Sequence, residues 1–174
     1  MLSDRPLAGI ERYKGKNVHL TACLEGFDAG VGVTHRVLDT STPTIWLRPR
    51  VLVVGVGCNS GTTQDEIARE VDQVLADAGL SPLSIRDVAT ITLKQDEPGL
   101  VAFAASRGVP LRVCTVAQIN EEAPPFARSD AVHRHIGVYG VAEPAAMLVA
   151  GAATCLVGKQ KRGNVTVAVA LVPA

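Results

Sequence analysis

One stretch constrains this chain more than any other: Val51-Leu52-Val53-Val54-Gly55-Val56-Gly57, followed by Cys58-Asn59-Ser60-Gly61-Thr62-Thr63 and then a helical apolar stripe. A β-branched apolar run with no polar interruption suits a strand buried on both faces. Thr62 with Asp65 three positions on predicts a helix start, and Ile67, Val71, Val74, Leu75 and Ala78 share one side before Gly79 stops the pattern. A buried strand that feeds a helix through glycines opens an α/β sheet, whose two faces must then be covered by further helices. The later sequence supplies the remaining pieces. Residues 88–93 alternate as a second strand; Glu97-Pro98 opens a helix with Leu100, Val101 and Ala104 inward; residues 111–114 form a third strand. Two more helices are predicted over 129–136 and 141–150, with Gly137 and Gly140 between them. The end reads as a hairpin of 154–157 and 164–172 around a polar tip, 158–163. The expected fold class is α/β, a three-layer α/β/α sandwich with a mixed β-sheet.

With 174 residues, 47% of them hydrophobic, the chain can bury one core, covering roughly 70% of its unfolded surface. Residues 50–174 form that domain, and residues 1–49 read as an irregular lead-in with one strand candidate, 44–47, between Pro43 and Pro49. The charge balance, 17 basic against 17 acidic, lacks the excess that phosphate-backbone binding needs, so no nucleic-acid partner is expected. Cys23, Cys58, Cys114 and Cys155 are too scattered for a metal site and read as reduced thiols. Together with an N-terminus lacking an apolar signal stretch, they point to the cytoplasm. Residues 141–158 carry a single charge, Glu143, and are long enough to raise the question of a membrane span; Pro144, Gly151 and the predominance of Ala and Gly argue against one.

Ligands of open α/β sheets collect outside the carboxyl ends of the strands, which selects two loops here. In the first, Gly55, Gly57 and Gly61 let a backbone approach a ligand, and the amides that open the helix favour an anion. Asn59, Ser60 and Thr62 can donate hydrogen bonds to a ligand or serve as caps. Cys58 is either an activated nucleophile or a small buried turn residue. The spacing is neither the dinucleotide fingerprint nor a P-loop. In the second loop, which starts at Thr92, Lys94 can hold an anion or polarise a carbonyl, or be merely solvated, while Glu97 can cap its helix or act as a general base. A third candidate, from Gly137 through Gly140 to Glu143, is again a glycine-bounded helix start. The fourth is the basic tip from Lys159 to Asn164, suited to carboxylates or simply a solvated turn. His133 and His135 lie two apart on a predicted helix and point in different directions, so no metal site is expected. His35 reads as a lone surface histidine.

The runs Val53 to Thr62, Thr92-Leu93-Lys94 with Glu97-Pro98, Gly137-Val138 and Gly140-Val141 before an Ala-rich helix, and Lys159 with Asn164-Val165-Thr166-Val167-Ala168 resemble the C-terminal domain of the CbiG cobalamin-biosynthesis proteins and their stand-alone CobE relatives. The likeness covers residues 50–172. It implies work on the corrin ring of vitamin B12. Proteins similar to CbiG open the δ-lactone of cobalt-precorrin-5A and release acetaldehyde, whereas CobE-like proteins look like binders or carriers of a ring intermediate. The implied partner is a cobalt-corrinoid intermediate whose acetate and propionate arms meet helix N-termini, Lys94 and the basic hairpin. No cofactor is implied, cobalt entering only as part of the substrate. Glu97 or Glu143 would be the base, and the amides of residues 57–63 the oxyanion site. The N-terminal CbiG domain, with its Ser-Gly-His-Ala-Gly-Gly pattern, has no counterpart here, and residues 1–49 match at most the linking region. A separate chain carrying that domain, or another enzyme of the pathway, is the further partner implied. If the hydrolytic groups reside in that domain, this chain binds without reacting.

Overall fold

The computed structural model describes residues 1–9, 12, 19–122 and 141–174. The lead-in, expected to be irregular, contains a three-stranded parallel sheet, β1 (Leu2–Ser3), β2 (Gly30–Val33) and β3 (Thr44–Leu47), in that order. The predicted strand 44–47 is its edge. Polar contacts fasten this sheet to the rest of the chain. Arg5 donates to the carbonyls of Val172 and Pro173 at 3.0 and 2.8 Å, and Ser81 N–H donates to His35 O at 2.8 Å. His35, expected at the surface, is buried, with Nδ1 2.9 Å from an Asp4 carboxylate oxygen that also accepts from the Thr34 hydroxyl. A partner 31 residues away leaves no trace in local spacing.

The second sheet is built from β4 (Leu52–Cys58), β5 (Ile85–Ile91), β6 (Leu111–Cys114), β7 (Cys155–Arg162) and β8 (Val165–Leu171), in the order β6-β5-β4-β8-β7. The first three are parallel, and β8 runs antiparallel to both β4 and β7. Alternation along β4 divides the core. Leu52, Val54, Val56 and Cys58 meet α1 (Gln64–Asp77) and α2 (Pro98–Ser106), and Val165, Val167 and Val169 of β8 join them. Val53 faces the other way, with Ala89, Ile91 and Ala170, against α3 (Val116–Glu122) and α4 (Ala142–Ala150). The result is the mixed-sheet, three-layer sandwich expected. Each fully buried Val, Leu or Ile contributes about 1.5–3 kcal/mol of hydrophobic stabilisation.

Several elements shift from their expected places. Thr63, not Thr62, caps α1, accepting from Glu66 N–H at 3.3 Å, while the Thr62 hydroxyl donates to Asn59 O at 2.7 Å and closes the loop. Ala78 lies beyond α1 and is exposed. β5 ends at Ile91, and Thr92–Lys94 forms a tight helical turn. Val101 is 45% exposed; Leu100, Phe103 and Ala104 take the inward face because the spacing i, i+3, i+4 puts them together. The hairpin turn shrinks to Gly163-Asn164, with Gly163 at φ +56°, and the polar residues expected at its tip continue β7. An edge strand has one neighbour and tolerates charged side chains, which also deter further pairing. The predicted helix 129–136, with His133 and His135, lies outside the described residues, as do Gly137 and Gly140. Among the described residues, no helix is long and apolar enough to cross a membrane.

Candidate functional site

Four helices begin at the carboxyl rim of the parallel strands. α1 follows β4, α2 follows β5 and α3 follows β6. α4 runs back along the sheet: its start packs on Gly55 and Gly57, and near its end Val149 O accepts from Arg86, which lies at the start of β5. The glycine-lined gaps after β4 and β5 therefore share one rim, where helix amides and dipoles favour negative charge.

At this rim four predicted residues converge. Lys94 Nζ donates to Glu97 Oε1 at 2.8 Å and to Ser60 Oγ at 2.9 Å. Ser60 in turn donates to Glu97 Oε1 at 2.8 Å, and Gly61 N–H to Glu97 Oε2 at 3.2 Å. Gly61 adopts φ +79°, a conformation that L side chains rarely adopt. The hydrogen bond from Lys94, then those from Ser60 and Gly61, hold the Glu97 carboxyl well below its ordinary range, at about 2. Glu97 is thus ionised at neutral pH and a weak proton acceptor, unsuited to the general-base role. It stands at the N-cap of α2, yet its side chain makes no hydrogen bond to its own helix, so the expected capping role is also unfilled.

Gly99, absent from the sequence-level candidates, makes this convergence sterically feasible. A Cβ there would lie 2.1 Å from Thr62 O, so only glycine lets α2 start against the first loop. The available signal was a glycine in a first helical turn, where alanine would cost less.

The remaining predicted residues serve the rim differently. The space beside Gly55 is filled by helix rather than ligand, since a Cβ there would lie 1.9 Å from Ala142 O. Gly57 is roomier, with Val141 at 3.7 Å. Cys58 is buried, and burial pushes its thiol up; the charges of Lys94 and Glu97 oppose each other as smaller influences. A raised thiol fits the buried-turn reading and not the activated nucleophile. Asn59 is held by the hairpin through Asn164: N–H to O at 3.0 Å and Nδ2 to Oδ1 at 2.9 Å. Thr92 is exposed, with its hydroxyl 3.3 Å from Cys114 O. Glu143 accepts from Lys159 N–H at 2.8 Å, tying α4 to edge strand β7. Beside it, Cys155 is pushed up to about 12, first by burial and then by the Glu143 charge. Among the described residues, no hydrogen bond or ion pair joins Glu143 and Lys159 to the Lys94–Glu97 cluster. The two candidate bases therefore belong to separate groups.

A concavity of about 1080 Å³ runs beside β6 between Arg50, Arg86, Asp87, Arg112 and Leu148. Its acidic residue is consumed locally: the buried Asp87 accepts from Arg86 Nε at 2.5 Å and Arg112 Nε at 3.0 Å. Among the described residues, no cluster of His, Cys, Asp and Glu could hold a metal ion.

A family model described as cobalamin synthesis G C-terminus matches residues 52–170. A cobalt-precorrin-5A hydrolase of Priestia megaterium is 40% identical over 171 residues, covering 95% of this chain and 45% of that protein. Protein CobE of a Sinorhizobium species is 36% identical over 107 residues, 61% of this chain and 70% of that one. The crystal structure of CobE, a protein from the cobalamin (vitamin B12) biosynthetic pathway, superposes with a TM-score of 0.65 at 27% identity, covering 72% of this chain and 92% of that chain. The chain spans about half the length of the Priestia hydrolase. By the extent of the family match and these identities, the chain belongs to the family of cobalamin synthesis G C-terminal domains.

Proposed function

We propose that this chain binds a cobalt-corrinoid intermediate at the carboxyl rim, in the cytoplasm, and takes part in the hydrolytic opening of the δ-lactone of cobalt-precorrin-5A with release of acetaldehyde. The observation that carries this reading is the convergence of Ser60, Gly61 and Lys94 on one carboxylate, at a rim where four helices begin. Such donors suit the carboxylate arms of a corrinoid, because charge-assisted hydrogen bonds are the strong ones. The relative named for the hydrolase supports the choice of reaction.

Lactone opening needs an activated water and a stabilised oxyanion. Within this chain the rim donors bind and orient. Glu143 is the candidate base not held in the Lys94 cluster, and further hydrolytic groups would come from a domain resembling the N-terminal CbiG domain or from another enzyme of the pathway. A second reading, a non-catalytic CobE-like carrier, is favoured by the poor basicity of Glu97 and the raised thiol of Cys58. Incubating cobalt-precorrin-5A with the purified chain, alone and together with a protein carrying an N-terminal CbiG domain, separates the two. Acetaldehyde release that is lost when this chain is left out supports the hydrolase; a visible-absorption change without release in both mixtures supports the carrier; neither response removes both. Lys94→Ala should weaken corrinoid affinity by about 1 to 3 kcal/mol, as for loss of a charge-assisted hydrogen bond. Unchanged affinity would take Lys94 out of the site.

A further inference from the structure

We propose that Glu97 is a resident stand-in for a substrate carboxylate: Ser60 Oγ, Gly61 N–H and Lys94 Nζ form a carboxylate subsite that a ligand's acid arm enters by displacing it. For the identity of the ligand this rests on the reading above; for the subsite itself it rests on geometry alone.

The three donors differ in kind and origin. A hydroxyl and an amide come from the loop after β4, and an ammonium comes from the turn after β5. All lie within 3.2 Å of the same carboxylate, which is the complement a free acid would seek. Glu97 fills this cradle from the N-cap of α2 without accepting a hydrogen bond from its own helix. Because the residue stands at that helix start, its carboxylate, once displaced from the cradle, stays where the helix dipole stabilises negative charge. The exchange also conserves charge at Lys94, because one carboxylate replaces another. The cluster is within reach of solvent, the side chains of Lys94 and Glu97 being 20% and 15% exposed. A carboxamide or ester arm offers no negative charge to Lys94, so the subsite distinguishes a free acid from its neutral derivatives.

The test uses the full chain labelled with nitrogen-15, following the Gly61 amide resonance. In Glu97→Ala, acetate should move that resonance saturably toward its wild-type position, while acetamide should not move it and wild type should respond to neither. Should the alanine variant fail to fold, Glu97→Gln, which keeps the side-chain size without the charge, carries the same titration. No acetate response at Gly61 in either variant would overturn the proposal. Visible titration with cobyrinic acid, whose arms are free acids, should show roughly tenfold tighter binding to Glu97→Ala than to wild type, because the competing carboxylate is gone. Its heptamethyl ester should show no such gain. An acetate response without any binding of cobyrinic acid would keep the subsite and overturn the corrinoid reading. Weaker binding of cobyrinic acid to Glu97→Ala than to wild type would place Glu97 in direct contact with the ligand and overturn the displacement.

Discussion

In the five-stranded sheet Leu52, Val53, Val54 and Val56 are each 0% exposed between two helical layers, whereas in the three-stranded sheet Ile45 and Leu47 of β3 remain 67% and 53% exposed. The large sheet is held by apolar burial, which is insensitive to pH and places the loops after β4 and β5 against each other. The small one is held largely by the polar clasp of Asp4, Arg5, Thr34 and His35. The contrast separates what positions the Ser60–Lys94–Glu97 cluster from what merely docks beside it: every residue of that cluster hangs from the large sheet.

Side-chain truncation in each sheet's layer should set the two sheets furthest apart. Phe103→Ala, on the α2 face of the large sheet, should cost about 3–5 kcal/mol in chemical denaturation, against within about 0.5 kcal/mol for Ile45→Ser. Equal costs would mean that the small sheet carries a core of its own. A smaller effect is expected from glycines. Gly55→Ala drives a Cβ into a backbone carbonyl of α4 and should cost about 3 kcal/mol. Gly32→Ala meets Cε3 and Cζ3 of the half-buried Trp46 side chain rather than a backbone, and should cost about 1 kcal/mol. A Gly55→Ala protein as stable as wild type would show that α4 does not clamp the rim.

Acid provides the most delicate discrimination. Burial holds the His35 pKa below its ordinary 6.5, with the Asp4 charge opposing as a weaker influence. The unfolded chain therefore takes up its proton first, and the clasp loses stability as pH falls through 6.5, levelling off below the folded value. Hydrogen exchange corrected for intrinsic rates should show residues 30–37 loosening between about pH 8 and about pH 5 while β4 and β5 hold, and His35→Gln should abolish the difference. Loosening of both sheets together would mean that the two unfold as one unit.

Much of the fold was legible because its signals are local. The apolar run of β4, the stripe of α1 and the glycines that punctuate them are periodicities within some 30 residues, and they placed the rim correctly. Errors arose where a choice depended on a neighbour. Thr62 and Thr63 are equivalent as caps until the loop closes on Asn59, and the charged stretch of β7 looks like a turn until β8 lies beside it.

The layered α/β class, the family motifs and the meeting of Ser60, Lys94 and Glu97 at one edge are readable from short-range patterning, since loops after successive parallel strands share one rim. What each group does there depends on packing between distant segments: Glu97 occupies the cradle, Gly55 admits a helix rather than a ligand, Gly99 lets two helix starts touch, and His35 is buried on Asp4. These outcomes join residues some 30 to 90 positions apart. They are set by which backbones dock within van der Waals distance and which donors then face one another, and neither follows from hydrophobic spacing along the chain.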